Sequence, residues 1–272
     1  MIIWLASYPK SGNTWLRGLI STYMSQNLEN PFENMKSIQR FPNLIQFKDI
    51  INIDILKKNK TEICKHWITA QERINLNGEI TFLKTHNFGG AINENQFSNN
   101  KNTLGVIYLV RDPRSVAVSL AYHNNITYDK SIKNLLDSNM SSVNSDFITE
   151  FRTSWKIHYL SWIKTTIPTI LVKYEDLNLD TFNCFKKILD FLKNFNQFNK
   201  VEINEEKIKK SIDICKFEKL SNLEKSEGFS EKVNGSFFRS GKVDEWKVKL
   251  TKIQINLIKK SFYNEMQSLN YL

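Results

Sequence analysis

The stretch IIWLASYPKSGNTWLRGLI, residues 2–20, carries the signals that decide the fold. It opens with an apolar run typical of a buried strand, continues into a tight polar turn, and ends in an amphipathic helix pattern. A helix that begins directly after such a turn presents backbone N–H groups at its N-terminus, where a phosphate binds well. Residues 2–20 therefore predict a strand–loop–helix unit that binds phosphate, although an ordinary capped helix start gives a similar pattern.

The turn resembles the phosphate loop G-x-x-x-x-G-K-[ST] of nucleotide hydrolases, with its lysine displaced. Gly12 and Thr14 fit the second glycine and the hydroxyl positions. Ser7 replaces the first glycine, and Asn13 stands where the lysine belongs. A lysine occurs instead inside the loop, at Lys10. This displaced cation indicates a ligand that differs from the β- and γ-phosphates of ATP.

Strand and helix patterns alternate along the rest of the chain. Strand-like apolar runs occupy residues 2–6, 81–84, 104–110 and 169–174. Helical spacing of apolar residues occurs at 182–192 and at 255–266. We predict an α/β protein with a P-loop-like three-layer fold, in which a central parallel β-sheet is flanked by helices. Ligands of such sheets bind beyond the carboxyl ends of the strands.

Length and composition favour one domain over residues 1–272. The chain has 272 residues, of which 41% are hydrophobic, enough for one sizeable core. The polar stretches 124–146 and 226–236 are interpreted as surface loops or lids. An aromatic stripe with helical spacing, Phe151, Trp155, His158 and Trp162, is interpreted as a core-facing helix.

The charge and the cysteines narrow the class of protein. A formal net charge of +10 favours a polyanionic partner, yet the lysines are spread along helical runs and form no dense patch. The three cysteines are unclustered, which indicates reduced thiols and neither a disulfide framework nor a zinc site. No apolar run approaches the ~20 residues of a membrane span, so we expect a cytoplasmic protein.

The second candidate segment is LGVIYLVRDPRSVAVSLAYH, residues 104–123. It runs as a buried strand into Arg111, and Pro113 opens the next helix. An arginine at this end of a strand either pairs with Asp112 or faces a ligand. Ser119 lies two helical turns further and could reach the same pocket.

Five motifs in a fixed order resemble one enzyme family. They are YPKSGNTW (8–15), LKTH (83–86), RDPRSVAVS (111–119), KYEDL (173–177) and FFRSGKVDEWK (237–247). In this order and spacing the chain resembles the sulfotransferases of the cytosolic type, and most closely the compact bacterial branch of that family. The resemblance runs from Trp4 to the final SLNYL. It implies a sulfotransferase that uses 3′-phosphoadenosine 5′-phosphosulfate (PAPS) as the donor co-substrate.

The resemblance assigns donor-binding roles along the chain. It implies that the loop residues hold the 5′-phosphosulfate, and these are Lys10, Ser11, Gly12, Asn13 and Thr14. The 3′-phosphate is implied to bind Arg111, Ser119, Arg239, Ser240 and Gly241. The adenine is implied to lie against Trp15, Tyr174 and Phe217.

Three departures from the family pattern limit what is carried over. Ser240 replaces a second basic residue that usually follows the arginine, which leaves the 3′-phosphate clamp one cation short. Cys215 stands where Ser or Thr is usual, so a hydrogen bond from that side chain to the adenine is not carried over. The dimer motif K-x-x-x-T-V-x-x-x-E is reduced to KVKLTKIQIN (247–256), so that form of dimer is unsupported.

The resemblance also implies the catalytic residues. Sulfuryl transfer leaves negative charge on the oxygen that bridges sulfur and the 5′-phosphate. Lys10 is expected to meet this charge, so that no metal is required. His86 is expected to act as general base, because its unperturbed pKa of ~6.5 lies near working pH. Lys84 is expected to steady the sulfuryl oxygens.

The other histidines receive weaker assignments. His66 lies in a region without a clear pattern, and His123 follows the proposed 3′-phosphate helix and could edge the acceptor pocket. His158 lies on the aromatic stripe and is interpreted as a core residue.

Two other classes of function remain open from the residues alone. A nucleotide kinase or other P-loop phosphotransferase is disfavoured by Asn13 and by the absence of a clear Walker-type acid. A basic nucleic-acid-binding module is disfavoured because the arginines with positional meaning surround one nucleotide-sized pocket. The acceptor is expected to be a hydroxyl of a small molecule, glycan or lipid, and no residue pattern selects among these.

Overall fold

The computed structural model describes residues 1–26, 29–144, 146–196, 198, 202–232 and 235–272. Its strands are β1 (Ile2–Ser7), β2 (Gln39–Arg40), β3 (Thr81–Thr85), β4 (Ala91–Ile92), β5 (Asn95–Gln96), β6 (Thr103–Val110), β7 (Ser141–Val143), β8 (Thr149–Phe151) and β9 (Thr169–Lys173). Its helices are α1 (Asn13–Met24), α2 (Pro31–Met35), α3 (Leu44–Phe47), α4 (Ile53–Lys58), α5 (Trp67–Asn75), α6 (Pro113–Asn124), α7 (Tyr128–Leu136), α8 (Trp155–Ile163), α9 (Tyr174–Leu179), α10 (Thr181–Lys193), α11 (Glu205–Ile214), α12 (Phe217–Glu227), α13 (Trp246–Lys249), α14 (Lys252–Ser261) and α15 (Tyr263–Ser268). A 3₁₀ helix spans Glu62–His66.

These residues form two compact units. The first unit comprises Met1–Tyr8, Ile38–Leu109 and Asp137–Leu171. The second unit comprises Pro9–Ser37, Val110–Leu136 and Val172–Leu272.

The central sheet has five strands in the order β2-β3-β1-β6-β9. β1 pairs in parallel with β3 on one side and with β6 on the other, and β3 pairs in parallel with β2. The predicted α/β class, with a central parallel sheet flanked by helices, is confirmed. All four predicted strands are present, whereas β2 is only two residues long and has no sequence pattern of its own.

Burial of β1 on both faces fixes the core of the first unit. All six residues of β1 are buried, as expected for a central parallel strand. The Trp4 ring lies 5.3 Å from the Phe41 ring and 5.2 Å from the Phe97 ring, measured between centroids. Its indole Nε1 donates a hydrogen bond to Thr103 Oγ1 at 2.9 Å, which satisfies the buried polar atom. These contacts fix β1 in the core of the first unit.

The second unit is organised around α1. A Cβ atom added at Gly18 would lie only 2.7 Å from Met35 Cε and 3.3 Å from Cys215 Sγ. Glycine at this position therefore lets α2 and the end of α11 pack closely against α1. The helix predicted at 182–192 is confirmed as α10, which buries Phe185 and Leu189.

Four expectations about local structure are wrong in part. The polar stretch 124–146 contains α7 and β7, because Ile132 and Leu135 are buried on one face of α7 in spite of the polar composition. The pattern at 255–266 is two helices, α14 and α15, which meet at Phe262. Phe151 lies on β8 and not on the aromatic helix. Of the predicted loop 226–236, α12 includes the start, and residues 233 and 234 lie outside the described residues.

Within the described ranges, each helix is too short or too polar to cross a membrane.

Candidate active site

The loop between β1 and α1 turns through two residues with positive φ. Lys10 has a φ of 66° and Gly12 a φ of 97°, both in the left-handed region. That conformation costs a residue with a side chain on the order of 1–3 kcal/mol, so the contacts of the loop must hold Lys10 in place. Gly12 precedes the first residue of α1 and has no side chain to cap the helix. The N-terminus of α1, with its positive dipole end, therefore lacks a capping side chain from Gly12 and suits an anion.

The side chains of this loop also suit an anionic ligand. Ser11 is fully buried, and within the described part of the chain its hydroxyl has no hydrogen-bond partner. A buried hydroxyl without a partner is rare, and a ligand oxygen would satisfy it. Thr14 Oγ1 donates to Glu231 Oε2 at 3.3 Å, and the same carboxylate accepts from Arg17 Nη1 at 2.7 Å. A negatively charged group thus already lies against the first turn of α1, as a phosphate would.

Arg111 is directed at the backbone of this loop. Its Nη1 donates to the Lys10 carbonyl at 3.0 Å, and its Nη2 donates to the Lys242 carbonyl at 2.9 Å. The guanidinium lies over the Tyr174 ring, 4.2 Å from the centroid. Its Nε is buried and has no hydrogen-bond partner among the described residues. Arg111 is therefore held rigidly with one buried donor unsatisfied.

The alternative of an Arg111–Asp112 pair is wrong. The Asp112 carboxylate accepts from the backbone N–H of Arg114 at 2.8 Å and caps α6. It also forms an ion pair with Arg114 Nη2 at 2.6 Å. The charge of Arg111 is consequently not neutralised by its neighbour in sequence.

A cavity of about 230 Å³ in the second unit brings together several predicted donor residues. Its described lining contains two cations and no carboxylate, so it is called here the cationic cavity. The lining residues are Lys10, Ser119, Tyr122, His123, Asn125, Gly235, Ser236, Phe237 and Arg239. Any two of Lys10, Ser119 and Arg239 are more than a hundred residues apart in the sequence, and the fold places all three around one cavity.

Arg239 is oriented by a carboxylate that sequence reasoning missed. Its Nη1 donates to Glu245 Oε1 at 2.7 Å, and its Nη2 donates to Glu245 Oε2. The guanidinium lies 3.9 Å from the centroid of the Tyr122 ring. The two-point pair and the ring together fix the plane of the guanidinium. No sequence spacing identifies Glu245 as the partner, because the contact is made by an irregular loop.

Lys10 is held by two neighbours in the cationic cavity. Its Nζ lies 4.0 Å from the centroid of the Phe237 ring and 3.5 Å from His123 Nδ1. Phe237 is itself fixed by Glu224, whose carboxylate accepts from the backbone N–H of Phe237 at 2.6 Å and from that of Phe238 at 2.9 Å. The Lys10 ammonium therefore sits at a defined point beside the cavity.

Aromatic side chains predicted to contact adenine lie near one another in the second unit. The Trp15 and Tyr174 rings are 5.9 Å apart with an edge-to-face orientation. The Tyr174 hydroxyl donates to the Gly241 carbonyl at 2.9 Å. A Cβ atom added at Gly241 would lie 2.9 Å from the Phe217 ring, and Gly241 has a φ of 65°. Glycine is thus required here both by the backbone and by the close approach of Phe217.

Two of the three departures from the family pattern, Ser240 and Cys215, have side chains that contact nearby residues. Ser240 Oγ accepts a hydrogen bond from the Lys242 backbone N–H at 3.4 Å. Cys215 is fully buried at the end of α11, with its sulfur 3.7 Å from Thr22 Oγ1. Burial raises the pKa of the Cys215 thiol to about 12, so it remains protonated.

His86 lies in the first unit, directly after β3. Its Nδ1 is 2.8 Å from the Ser7 carbonyl oxygen. Since a carbonyl only accepts, Nδ1 carries the proton, and Nε2 of the neutral ring is left as the acceptor. Burial chiefly lowers the pKa of His86 to about 3. Glu150 opposes this shift, whereas Lys84 and Arg40 add to it. The ring is therefore neutral at physiological pH.

A charged cluster surrounds His86, and most of it was missed by sequence reasoning. Lys84 is buried on β3. Arg40 donates from Nε and Nη2 to the two oxygens of Glu150, at 3.0 and 2.6 Å. Arg152 Nη2 lies 3.5 Å from Glu150 Oε2. Burial alone would raise the pKa of Glu150, but Arg40 and Arg152 lower it, so this carboxylate is charged. Lys84 belongs to the motif that contains His86 and was predicted, whereas Arg40, Glu150 and Arg152 are remote from His86 in sequence, so no local motif reveals them.

The remaining histidines have distinct environments. His158 is fully buried on α8, which confirms the prediction of a core residue. Its Nδ1 lies 2.9 Å from the Tyr108 hydroxyl, and its Nε2 lies 3.2 Å from the His86 carbonyl oxygen. His123 lines the cationic cavity, and His66 ends the 3₁₀ helix.

Among the residues that the structure describes, no group of three or more His, Cys, Asp or Glu side chains is arranged to hold a metal ion.

Solved structures share this fold. A mouse sulfotransferase solved with PAP superimposes with a TM-score of 0.63 at 20% identity, covering 98% of this chain and 84% of that chain. Retinol dehydratase solved with retinol and PAP gives a TM-score of 0.62 at 21% identity, covering 97% of this chain and 81% of that chain.

Sequence comparison gives the same family. Cytosolic sulfotransferase 14 of Arabidopsis thaliana is 27% identical over 258 residues, covering 89% of this chain and 68% of that protein. Flavonol 3-sulfotransferase of Flaveria bidentis is 26% identical over 269 residues, covering 95% of this chain and 79% of that protein. The family model described as the sulfotransferase domain matches residues 2–270. The chain therefore belongs to the sulfotransferase domain family and is a PAPS-dependent sulfotransferase.

Proposed function

We propose that this sulfotransferase transfers the sulfuryl group of PAPS in line to a hydroxyl group of a small organic acceptor, with His86 as the general base. The observation that carries the proposal is the cationic cavity, where Lys10, Ser119 and Arg239 meet without a carboxylate in the described lining. Such a cavity suits an anionic nucleotide. Two structures of retinol dehydratase, a relative by fold, support a small acceptor, since one contains androsterone and the other retinol.

The donor residues divide into three sets in this proposal. The loop from Lys10 to Thr14 holds the 5′-phosphosulfate, with the α1 N–H groups and the Ser11 hydroxyl as donors. Arg111, Ser119 and Arg239 hold the 3′-phosphate, and the backbone of Ser240 and Gly241 closes the clamp. Trp15, Tyr174 and Phe217 line the adenine site. The unsatisfied Ser11 hydroxyl and Arg111 Nε fit a phosphate-rich ligand.

Lys10 provides the charge that sulfuryl transfer needs. PAPS supplies the sulfuryl group, and its loss leaves negative charge at the 5′-phosphate. Lys10 Nζ, steadied by His123 and Phe237, is the cation assigned to this charge. Fixed charge in a shielded site lowers the barrier strongly, because little reorganisation is required during the reaction. We assign Lys84 to the sulfuryl oxygens.

His86 removes the acceptor proton. Its Nδ1–H donates to the Ser7 carbonyl, so Nε2 is the atom that accepts the proton as the new oxygen–sulfur bond forms. The low pKa keeps the ring neutral throughout the physiological pH range, so Nε2 retains the lone pair that accepts the proton. The same shift makes the ring a weaker base than a histidine with the usual pKa. General bases of this type contribute ~10²–10⁴-fold to the rate.

One binding experiment separates this function from its rivals. Thermal unfolding is measured with adenosine 3′,5′-bisphosphate (PAP), with ATP and magnesium, and with a random oligonucleotide. At a hundred times its Kd, a ligand of the folded state adds about 2.7 kcal/mol, a shift of several degrees. We expect that shift with PAP alone. Stabilisation by ATP and magnesium instead would favour a phosphotransferase, and stabilisation by the oligonucleotide would favour a nucleic-acid-binding protein.

Turnover is tested by transfer of labelled sulfate from PAPS to a panel of phenols, alkyl alcohols, sterols and sugars. Because Lys10 carries the charge assigned to a metal in phosphoryl transfer, we expect turnover to survive excess EDTA. Activity that EDTA abolishes and only a divalent ion restores would contradict the role of Lys10.

A further inference from the structure

Positive charge exceeds negative charge in the cluster around His86. Arg40, Lys84 and Arg152 are accompanied by one buried carboxylate, Glu150. Asp137 is exposed, and its charge acts on Tyr8. Among the described residues of the cluster, three cations thus stand against one buried carboxylate beside the proposed base.

Glu150 is already fully engaged by Arg40. Both carboxylate oxygens accept from Arg40, at 3.0 and 2.6 Å, in the two-point geometry that arginine forms with carboxylates. The Nη2 of Arg152 is 3.5 Å from one of these oxygens, which is a long contact. Arg152 Nε is buried, and among the described residues it has no hydrogen-bond partner. One edge of the Arg152 guanidinium, Nε and Nη2, is therefore weakly used.

The backbone fixes Arg152 close to the His86 segment. The Phe151 N–H donates to Asn87 Oδ1 at 2.7 Å, and the Phe88 N–H donates to the Phe151 carbonyl at 2.9 Å. Asn87 follows His86 in the chain, and Arg152 follows Phe151. These two hydrogen bonds hold the segment that follows His86 against the strand residue that precedes Arg152.

A guanidinium edge with an unsatisfied buried donor recognises a planar group with two oxygens. A carboxylate meets Nε and Nη2 with two parallel hydrogen bonds, and its charge offsets the positive excess. A neutral substrate with an alkyl group in place of the carboxylate would leave the buried Nε of Arg152 without a hydrogen-bond partner, which is unfavourable.

We propose that Arg152 binds a carboxylate of the acceptor, so that the preferred acceptors are hydroxy acids whose hydroxyl reaches His86. This inference rests on the proposed function and names its substrate class. Arg152 is then a specificity-determining residue, and cationic acceptors are disfavoured by the same charge.

The test compares acceptors that differ only in charge. Rates of sulfate transfer from PAPS are measured with 4-hydroxyphenylacetate, 4-ethylphenol and tyramine, and with 6-hydroxyhexanoate against 1-hexanol. In the wild type we expect kcat/KM for the carboxylate to exceed that for the neutral analogue by about tenfold or more. Tyramine should be the poorest of the phenols.

Variants assign the preference to Arg152. In Arg152→Gln the ratio of carboxylate to neutral kcat/KM should fall to near one, and Arg152→Lys should retain part of it. Arg73→Gln removes an exposed arginine of the same unit, which donates to the Lys48 carbonyl at 2.9 Å, and should keep the wild-type ratio. Calorimetric titration of the PAP-bound enzyme with 4-hydroxyphenylacetate and 4-ethylphenol gives the same comparison without turnover.

The outcomes are distinct. A wild-type ratio at or below one in both scaffolds, by rate and by calorimetry, overturns the inference while PAP binding leaves the proposed function intact. An equal loss for charged and neutral acceptors in Arg152→Gln also overturns it, since Arg152 would then serve the sulfuryl group or the fold. Absence of PAP binding removes the proposed function, and the inference with it.

Discussion

Arg114, and not Arg111, is the ion-pair partner of Asp112. The Asp112 carboxylate lies 2.6 Å from Arg114 Nη2, and both side chains are buried. The Arg111 guanidinium instead donates to the carbonyls of Lys10 and Lys242. The pair therefore neutralises the aspartate at the start of α6 and leaves the charge of Arg111 beside the loop between β1 and α1.

We expect Arg111→Ala to remove most of the discrimination between PAP and 5′-AMP. A buried phosphate that meets Arg111 and Arg239 gains ~1.5–3 kcal/mol from each charge-assisted contact. Two donors of the Arg111 guanidinium are already used by carbonyls, and Arg239 is paired with Glu245, so the lower figures apply. Wild type should thus prefer PAP by roughly a hundred-fold, measured by calorimetry.

The control for this prediction is Arg73→Ala, which removes an exposed arginine of the other unit. It should leave both affinities unchanged, and 5′-AMP should bind Arg111→Ala nearly as it binds wild type. Equal affinities of PAP and 5′-AMP for the wild-type protein would remove Arg111 from the donor site.

We expect His86→Ala to lose turnover while PAP affinity is retained. In the proposal, His86 Nε2 is the atom that accepts the proton, whereas its Nδ1–H donates a hydrogen bond to the Ser7 carbonyl. Loss of a general base lowers kcat by ~10²–10⁴-fold. Steady-state kinetics and PAP calorimetry on the same preparation check both halves of the prediction. Activity above about a hundredth of wild type would move the base to another group, with His123 the first candidate because it lines the cationic cavity.

The pH dependence of stability follows from two imidazoles whose pKa values are lowered in the fold. Burial chiefly lowers the pKa of both His86 and His158 to about 3, against about 6.5 in the unfolded chain. Between these values the unfolded chain binds more protons, so the free energy of unfolding decreases as the pH falls below ~6.5. Above ~6.5 both rings are neutral in both states and contribute no slope. Each ring contributes up to about 1.4 kcal/mol per pH unit.

Urea unfolding at pH values between ~7.5 and ~5.2 checks this, above the range in which most carboxylates titrate. His86→Gln should reduce the slope by about half, because His158 remains. A free energy of unfolding that is constant between pH 6.5 and 5.2 would show that both rings take up protons in the fold as they do in the unfolded chain. The kcat at saturating donor should likewise show no loss near pH 6.5, since His86 stays neutral.

The sequence allowed prediction of those parts of the fold and site that lie within short contiguous stretches. β1, the loop at Lys10 and the start of α1 are local, and all three are found where the pattern places them. The partners of the site residues follow no such pattern. Glu245 lies close to Arg239 in sequence, but the contact is made in an irregular loop where no spacing rule pairs the two residues. Glu150 reaches Arg40 across 110 positions of the chain.

The polar segment 124–146 shows a second limit. α7 buries Ile132 and Leu135, and the Ser131 hydroxyl donates to the Ala117 carbonyl at 2.7 Å. A helix with so few apolar residues is stabilised by tertiary contacts with α6, which composition does not reveal. Tautomers and pKa values, such as those of His86, likewise depend on burial and on the Ser7 carbonyl.

The last prediction separates two roles of glycine. Gly241 and Gly78 both have positive φ, 65° and 73°, so alanine is strained at either site by about 1 kcal/mol. A Cβ at Gly78 meets nothing within 4 Å, whereas one at Gly241 lies 2.9 Å from the Phe217 ring. Gly78→Ala should therefore lower the free energy of unfolding without affecting PAP binding. Gly241→Ala should lower it by a similar or larger amount and also weaken PAP, because Phe217 must move from its place in the proposed adenine site. Urea unfolding and PAP calorimetry on both variants measure these effects. Unchanged PAP affinity in Gly241→Ala would show that neither Phe217 nor the turn at Gly241 contacts the donor, and would restrict the clamp to Arg111, Ser119 and Arg239.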